Sequence, residues 1–572
     1  MGVPTQPRPD PRRWWALGAI VACMLVLGFD GTILNVALPT MASQLGADTG
    51  EQQWIADSYL VVLAALMLPA GLLGDRFGRR RMLITGLVIF LGGSLLGTVV
   101  DDPALVIAAR AVMGAGAALI MPLAMSVLPS LFGPDERATA VGAVSGASAL
   151  GMPLGPIIGG WLLDHFWLGS VFLINVPLVA IGILACVFLL PETKDPASPR
   201  VDTLSSALTA LGLGVLVFGV IEGPQRGWGS AVVLGSFAAA VVLLVALVLR
   251  ERRMARPMLD LTLLGDRGFR WNAIAATLVT FALMGLLFVL PQYLQVIQGN
   301  DAFGTGLRMM PMMAGLLVAS RGAGPLVTRF GPRVVISAGL FALAFAALLA
   351  SNTHLSDGYG TVAVWLVIAG FGFGFALIPA MSNALGALPR DRAGSGSGLL
   401  MTLRQVGGAI GVAVLGSLVA GAYRAHLDTG GLPHDAAHAA GESVVGGHVV
   451  AAELGDAALR HSADAAFIDG MNLALLVTGL ASLAAALLIA AFLPNPRRAG
   501  RTVAITTPDG PDGPDGPDGP DGPDAGGATG AGASSASAST AAGAKATAAT
   551  TGAGAPRAAG HDVASGPADA GQ

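Results

Sequence analysis

Two ionisable residues lie deep within long apolar stretches of the sequence, where their side chains could bind and release a proton. Asp30 lies 17 residues after Arg13, which is about 25 Å along an α-helix. A carboxylate at that depth in a membrane is costly unless it is protonated or paired with a cation. Arg110, at the start of a glycine-rich stretch, is the candidate cation. The pair is a candidate for proton exchange; the alternative is that Asp30 is a structural hydrogen-bonding residue near the outer interface.

Five further side chains could line a binding cavity. Asp57 lies a few residues into the next apolar stretch, and we expect it at an interface or a cavity mouth. Arg404 and Gln405 lie within a later apolar stretch. Met309 and Met313 belong to a methionine-rich stretch; methionines adapt to varied ligands, although filling of the core explains them equally well.

Metal chemistry is not indicated by the sequence. Five histidines lie between residues 424 and 467, but their spacings are irregular and no cysteine motif accompanies them. We therefore expect a solvated, partly helical loop there. Cys23 and Cys186 both lie in apolar stretches and are expected to be reduced packing residues.

The elements that position these residues are membrane-spanning helices. The chain of 572 residues is 53% hydrophobic and 12% charged, about half the charged share of soluble domains. Apolar stretches long enough to cross a bilayer recur along it, so we predict an all-α polytopic membrane protein. Fourteen spans are expected near residues 14–38, 52–73, 82–100, 104–129, 138–163, 168–190, 204–221, 229–249, 271–296, 304–327, 333–351, 361–386, 396–422 and 468–493.

The charges of the links between spans predict the orientation. Lys and Arg concentrate in alternate links, as expected of cytoplasmic loops, whereas the opposite links hold Asp48, Glu51, Asp101, Asp102, Asp164 and Asp357. Both termini are therefore expected in the cytoplasm. The basic links hold Arg76, Arg79, Arg80, Arg81, Arg137, Lys194, Arg200, Arg250, Arg252, Arg253, Arg256, Arg267, Arg270, Arg329, Arg333, Arg390, Arg392, Arg497, Arg498 and Arg501.

A faint internal repeat predicts two related halves. "GDRFGRR" at 74–80 aligns with "VTRFGPR" at 327–333, and "GAGAALIMPLAMS" at 114–126 resembles "GFGFALIPAMSNA" at 372–384. Parallel repeats with the substrate between them are a known plan for transporters. We predict a cytoplasmic N-terminus (1–13), a six-helix bundle (14–190), two linker helices with a cytoplasmic loop (191–270), a second six-helix bundle (271–495) with an external loop (424–467), and a disordered cytoplasmic tail (496–572).

Two motifs could govern movement between the halves. In "GLLGDRFGRRR", beginning at Gly71, glycines 71 and 78 permit close helix contact and a tight turn, and Asp75 can face a helix N-terminus; the alternative is that the arginines only set topology. In "GMPLGPIIGG", residues 151–160, glycines recur every four residues and Pro156 weakens the helix; plain helix packing is the alternative. The key residues are Gly71, Asp75, Arg76, Gly78, Arg79, Arg80, Gly151, Gly155, Pro156, Gly159 and Gly160.

These motifs together resemble the fourteen-span drug:proton antiporters of the major facilitator superfamily. The first is similar to the family's loop 2–3 signature and the second to its fifth-span antiporter motif; "FDGTILNVALP" (29–39) and "RAVMGAGAALIMP" (110–122) resemble its first-span and fourth-span motifs. The resemblance implies that the loop is a latch between halves, that Asp30 releases and rebinds H⁺ while Arg110 tunes it, and that the fifth span supports export.

The expected function is that of a non-enzymatic, proton-driven efflux pump of the bacterial cytoplasmic membrane. It would act as a monomer without a cofactor, exporting hydrophobic or amphipathic drugs, antibiotics or toxic compounds, and would not bind nucleic acid. The alternatives are a transporter of one metabolite, such as an amino acid or sugar, and a membrane sensor or channel. Cargo charge stays open, because acidic residues are missing from spans ten and thirteen while "LGSVFLINVP" (168–177) resembles the cation-pump branch.

Overall fold

The structure, a computed structural model, describes residues 13–99, 101–132, 134–194, 202–254, 261–388 and 393–494. The predicted N-terminal leader, except Arg13, and the predicted tail from 496 onward lie outside these residues, as do Arg200, Arg256, Arg390 and Arg392.

The described part is helical, and every predicted span overlaps a helix. The helices are α1 Arg13–Leu45, α2 Thr49–Phe77, α3 Arg79–Thr98, α4 Pro103–Leu131, α5 Pro134–His165, α6 Ser170–Leu173, α7 Asn175–Leu189, α8 Thr203–Arg226, α9 Ala231–Arg253, α10 Arg267–Gln292, α11 Ala302–Arg308, α12 Met310–Phe330, α13 Pro332–Ala350, α14 Tyr359–Gly386, α15 Ala393–His426, α16 His434–Glu442, α17 Val444–Leu454 and α18 Ala457–Phe492.

The all-helical membrane architecture is confirmed, whereas the count of fourteen spans is not. Within the described ranges, twelve helices are long and apolar enough to cross a bilayer, and α2, which bends by 52° near Pro69, makes a thirteenth if it is one span. Helix α5 occupies the predicted fifth span and is 32 residues long, which is about 48 Å, but it is not among these thirteen. The structure therefore comes close to the predicted count without reaching it.

The helices pack as two groups with a pair of helices beside them. Helices α1 to α7 pack mainly on one another, and α10 to α15 pack with α18; we call these the N-half and the C-half. Helices α8 and α9 pack together, and α8 lies against α2 and α15. Contacts between the halves join α5 to α11 and α2 to α15. These two pairs of helices form the seams along which the halves meet.

The repeated loop motif adopts the same backbone conformation in both halves. Gly78 separates α2 from α3 with φ +114°, and Gly331 separates α12 from α13 with φ +87°. Side chains with a Cβ rarely adopt such positive φ values, which explains why glycine stands at both positions. The helices of the second repeated segment also correspond, because α4 packs on α2 and α3 while α14 packs on α12 and α13.

The two ends of the bundle differ in charge. One end carries the link with Arg76 and Arg79 between α2 and α3, and we call it the basic end. The other carries Asp48, Asp164 and Asp301 at helix ends, and we call it the acidic end. At the acidic end the segment 424–467 contains α16 and α17, in agreement with the expected partly helical loop.

That loop does not stand apart from the bundle. The hydroxyl of Tyr423 donates to the carbonyl of Ala440 at 2.9 Å, and His448 lies 2.6 Å from the carboxylate of Asp464. Helix α17 also packs against α1. The loop of the C-half therefore reaches across the acidic end to the N-half.

Candidate functional site

Asp30 and Arg110 form an ion pair buried inside the N-half. Nη1 of Arg110 donates to Oδ2 of Asp30 at 2.9 Å, and the two residues are only 3% and 1% exposed. Nδ2 of Asn175 donates to Oδ1 of Asp30 at 3.0 Å. The guanidinium of Arg110 lies 4.3 Å from the centre of the Tyr59 ring, within the range of a cation–π contact. Both carboxylate oxygens and the cation are therefore held in place.

Four helices bring these groups together, because glycines allow their backbones to approach. Asp30 comes from α1, Tyr59 from α2, Arg110 from α4 and Asn175 from the start of α7. A Cβ at Gly114, one turn after Arg110, would come within 2.6 Å of the carbonyl oxygen of Tyr59. Because real Cβ contacts are essentially never this short, the approach of α4 to α2 depends on glycine at this position.

A small cavity lies beside the pair, between the two halves. It has a volume of about 20 Å³, which is room for about one water molecule. Arg110 and Tyr59 line it from the N-half, and Met284 and Val412 line it from the C-half. The remaining lining residues are Gly31, Leu34, Asn35, Ala56 and Leu60. The buried ion pair is therefore connected to the space between the halves through Arg110.

The fifth-span motif packs against helices of both halves. On α5, a Cβ at Gly151 would come within 2.5 Å of the carbonyl of Leu25, and one at Gly155 within 2.8 Å of that of Phe29, while Gly159 lies against Ile33. These three glycines fit α5 to the α1 segment that carries Asp30. Gly160 and Pro156 instead lie against the N-terminal part of α11 in the C-half.

Hydrogen bonds between the halves cluster toward the acidic end in the described residues. The carboxylate of Asp164, at the end of α5, accepts from the backbone N–H groups of Ala302 and Phe303 at 3.2 and 2.9 Å. Nε2 of Gln295 donates to the carbonyl of Val36 at 2.8 Å. These bonds hold α5 and α1 to the C-half.

The seam between α2 and α15 is bonded in the same way. Nε2 of Gln53 donates to the carbonyl of Ala413 at 3.0 Å, in the part of α15 nearer the acidic end, and Oγ1 of Thr49 donates to the carbonyl of Glu442 at 2.8 Å. The acidic end is the end at which the halves are joined in this conformation.

The loop motif at the basic end is tied to its own half. The guanidinium of Arg79 donates to Asp75 at 2.9 Å and to the carbonyl of Ser126 on α4 at 2.9 Å. Arg80 donates to the carbonyl of Val187 on α7, and Arg76 lies over the ring of Phe77. Asp75 thus pairs across the Gly78 turn with Arg79, the first residue of α3.

The expected role of Gly71 in close helix contact is wrong. Nothing lies within 4 Å of a Cβ at Gly71. The close approach occurs one turn later at Gly74, where a Cβ would clash with Leu123 of α4. Gly78 does make the predicted tight turn.

The expectation that Asp57 lies at an interface or a cavity mouth is also wrong. Asp57 is fully buried in α2, and neither carboxylate oxygen has a hydrogen-bond partner in the described part of the chain. Met309 and Met313 are buried in the core as well and do not line the small cavity. Gln405 is buried on α15, and Arg404 beside it is partly exposed.

Sequence reasoning missed four residues of this arrangement. Asn175 and Tyr59 complete the surroundings of the Asp30–Arg110 pair, and Gln53 and Asp164 join the halves. Tyr59 and Asn175 each lie within motif-like segments, "QWIADSYL" and "LINVP". An amide or hydroxyl inside such a motif was the available signal for both, whereas nothing in the sequence marks the partners of Gln53 and Asp164.

The described residues contain no group of three or more His, Cys, Asp or Glu side chains that could hold a metal ion. Cys23 and Cys186 are both buried and free, on α1 and α7. The chemistry available around the buried pair is thus that of a carboxylate, a guanidinium, an amide and a phenol.

Comparisons with known proteins point to one family. The family model of the Major Facilitator Superfamily matches residues 20–412. The chain is 36% identical over 435 residues to a probable actinorhodin transporter of Streptomyces coelicolor, covering 73% of this chain and 75% of that protein. It is 31% identical to the multidrug efflux pump LfrA of Mycolicibacterium smegmatis, covering 85% and 98%. It is 30% identical to the tetracenomycin C resistance and export protein of Streptomyces glaucescens, covering 83% and 90%.

Solved structures agree on the fold. A bacterial homologue of the human lysosomal transporter Spinster, in an inward-facing and unoccupied conformation, superposes with a TM-score of 0.63 at 18% identity, covering 85% of this chain and 97% of that one. The nucleoside transporter NupG superposes with a TM-score of 0.53 at 13% identity, covering 84% and 100%. At these identities the likeness concerns the fold alone.

Proposed function

The chain belongs to the Major Facilitator Superfamily, and from this premise we propose that it is a proton-coupled efflux transporter. Its cargo would be hydrophobic drugs, antibiotics or other toxic organic compounds, which it exports across the bacterial cytoplasmic membrane. Support comes from similarity to a probable antibiotic transporter, a multidrug efflux pump and an antibiotic resistance and export protein over 73% or more of the chain.

The observation that carries the proton coupling is the buried pair of Asp30 and Arg110. Taking two charges out of water costs several kcal/mol per ion, and the cost is offset only with good geometry and further hydrogen bonds. The geometry is good, at 2.9 Å, and Asn175 is a second donor to the carboxylate, whereas Nε of Arg110 has no hydrogen-bond partner in the described residues. Protonation of Asp30 would remove its charge and free Arg110, which lines the cavity between the halves. A change at Asp30 would therefore alter Arg110 and the cavity between the halves that it lines.

Support for the outward direction of transport comes from the similarity to an efflux pump and an export protein, and the two ends of the bundle are compatible with it. We place the basic end in the cytoplasm, together with both termini, because arginines concentrate in cytoplasmic loops. The joined acidic end then faces outward, and cargo would enter from the basic end. Protonation of Asp30 from outside would accompany release of cargo, and deprotonation toward the cytoplasm would reset the pump. We propose that a monomer does this without a resident cofactor.

Export is tested in a host that lacks its own pumps. Cells that express the chain should tolerate more of several antibiotics and dyes and should retain less dye, and collapsing the pH gradient should abolish both effects. Asp30→Asn, which resembles the protonated acid, should give a folded but less stable protein that confers no resistance. Asp102→Asn is a matched control, since Asp102 is an exposed cap of α4 away from the pair. Unchanged resistance with Asp30→Asn would contradict the proposed proton role, and transport of one metabolite without any drug would contradict the cargo class.

A further inference from the structure

Arg404 is a cation inside the C-half that contacts sulfur rather than a carboxylate in the described part of the chain. Its Nη1 lies 3.2 Å from the sulfur of Met381 on α14 and 3.9 Å from that of Met401 on α15. Its Nε is buried and has no hydrogen-bond partner in the described residues. Arginine keeps its charge in proteins, so Arg404 is a positive group without an anion beside it in the described part of the chain.

Arg404 does not line the small cavity, but it lies on the same row of α15 as a residue that does. Arg404, Gly408 and Val412 are spaced four residues apart, so they form one row along α15. Val412 lines the small cavity, and Met284, which also lines it, lies 3.1 Å from a Cβ placed at Gly408. Arg404 continues this row toward the basic end, about 12 Å from Val412 along the helix. Its contact with Met381 directs the guanidinium toward α14 of the same half.

The surrounding helices do not neutralise this charge. The six helices α10 to α15 contain no Asp or Glu, and the two acids of α18, Asp464 and Asp469, lie in its first half toward the acidic end, beside His448 and His426. In the N-half the charge of Arg110 is balanced by Asp30, and Asp57 on α2 is a further buried carboxyl with no hydrogen-bond partner in the described residues. The part of the site that the C-half contributes is therefore positive, and charge repulsion in a low-dielectric interior disfavours a cation there.

We propose that Arg404 selects cargo by charge, and that the pump exports amphipathic organic anions, such as aromatic carboxylates and acidic phenols, in preference to organic cations. The planar guanidinium binds a carboxylate through two parallel hydrogen bonds. The thioethers of Met381 and Met401 present soft, adaptable apolar surface beside it. This inference rests on the proposed export function and names the cargo class of the same site.

The test compares two dyes that share a ring system but differ in charge. Fluorescein is a xanthene carboxylate anion, and rhodamine 123 is a cationic xanthene ester. Binding is measured by fluorescence anisotropy on the purified full chain, and transport in proteoliposomes under an imposed pH gradient. The variants are Arg404→Gln and Arg404→Lys. Arg252→Gln is the matched control, because Arg252 is an exposed arginine at the end of α9.

The wild-type chain should bind and export fluorescein more strongly than rhodamine 123. Arg404→Gln should weaken fluorescein binding at least tenfold and leave rhodamine 123 unchanged or bound more tightly. Arg404→Lys should retain most of the affinity for fluorescein, and Arg252→Gln should match the wild type. Because each variant is measured with both dyes, the ratio of their affinities separates a charge effect from a general loss of folded protein.

Three outcomes would overturn the inference. Export of rhodamine 123 alone by the wild type would reject it while leaving the export function intact. An equal loss of both dyes in Arg404→Gln would show that Arg404 does not discriminate charge. If the wild type exports neither dye and confers resistance to no drug in the resistance assay, the proposed function is rejected, and this inference with it.

Discussion

At the scale of single residues, the central question is what an acid buried in a membrane needs from its neighbours. The carboxylate of Asp30 accepts hydrogen bonds from the guanidinium of Arg110 and the side-chain amide of Asn175, and Arg110 lies over the ring of Tyr59. These partners come from three other helices. Protonation of the carboxyl would therefore change contacts with residues of α2, α4 and α7 together.

The first prediction concerns the interdependence of Asp30 and Arg110. Removing one partner of a buried pair strands the other charge and costs about 3–5 kcal/mol, whereas replacing both with neutral groups costs far less. Arg110→Gln alone should therefore lower the melting temperature strongly. The double variant Asp30→Asn/Arg110→Gln should recover most of the loss but should not transport against a gradient. Thermal unfolding in detergent of the four chains gives the coupling free energy.

A double variant whose loss equals the sum of the two single losses would contradict this interdependence. Asp102→Asn serves as the control for the loss of a carboxylate at an exposed site, and it should change the melting temperature little.

The acid and its cation were predictable from the sequence, because an Asp and an Arg inside apolar stretches are rare and costly. Asp57 shows where such reasoning fails. Its place early in α2 suggested an interface, yet it is fully buried. The sequence records where a residue lies along a helix, but which side of the helix meets a neighbour depends on packing between helices far apart in the chain.

At the scale of elements, α5 is the helix that connects the segment of α1 carrying Asp30 to the contact between the halves. One set of its glycines, Gly151, Gly155 and Gly159, fits against α1, and Gly160 fits against α11. Glycine spacing alone predicted a packing seam. That α5 contacts both its own half and the opposite half became clear only from the structure.

The second prediction tests this contact from the opposite side. A Cβ at Gly306 of α11 would clash with the carbonyl of Pro156, so Gly306→Ala should force α5 and α11 apart at the acidic end. An Ala302→Cys reporter should then react faster with a membrane-impermeant maleimide. Gly214→Ala is the control, since nothing lies within 4 Å of a Cβ there. If Ala302→Cys reacts at the same rate with and without Gly306→Ala, this contact does not hold the acidic end closed.

The third prediction concerns the linker helices. Asp202 caps α8 and accepts two hydrogen bonds at 3.0 Å from Arg250 of α9. This cation lowers the pKa of Asp202 from 3.8 to about 2. A carboxyl with a lowered pKa in the folded state adds stability above its unfolded pKa and loses it as the pH falls. Because Arg250 is 37% exposed, solvent screening keeps the contribution of this pair to stability small.

Asp202→Asn keeps the helix cap but removes the charge. Its melting temperature should therefore fall below that of the wild type by a constant amount between pH 5 and pH 8, and the difference should shrink as the pH drops from about 4 toward 2. Asp102→Asn, which alters a cap with no described cation partner, should show no such convergence. A difference that stays constant down to the lowest pH would contradict a charge-dependent role for Asp202.

At the scale of the whole molecule, much of the architecture was predictable. The helical class followed from the apolar stretches, and the repeat at 74–80 and 327–333 reappears as equivalent turns at Gly78 and Gly331. The joining of the halves at one end was not predictable. It depends on Gln53, Gln295 and Asp164 meeting partners more than 100 residues away, and single polar residues at helix ends give no sign of such partners.

The proposed transport cycle depends on one step, in which Asp30 exchanges a proton against cargo. It is tested most directly in proteoliposomes that hold an imposed pH gradient and an internal pH-sensitive dye. Addition of a transported dye should dissipate the gradient in vesicles with the wild-type chain. With Asp30→Asn the gradient should persist while exchange of labelled for unlabelled cargo continues. Cargo-dependent proton flux of wild-type size through Asp30→Asn would contradict the claim.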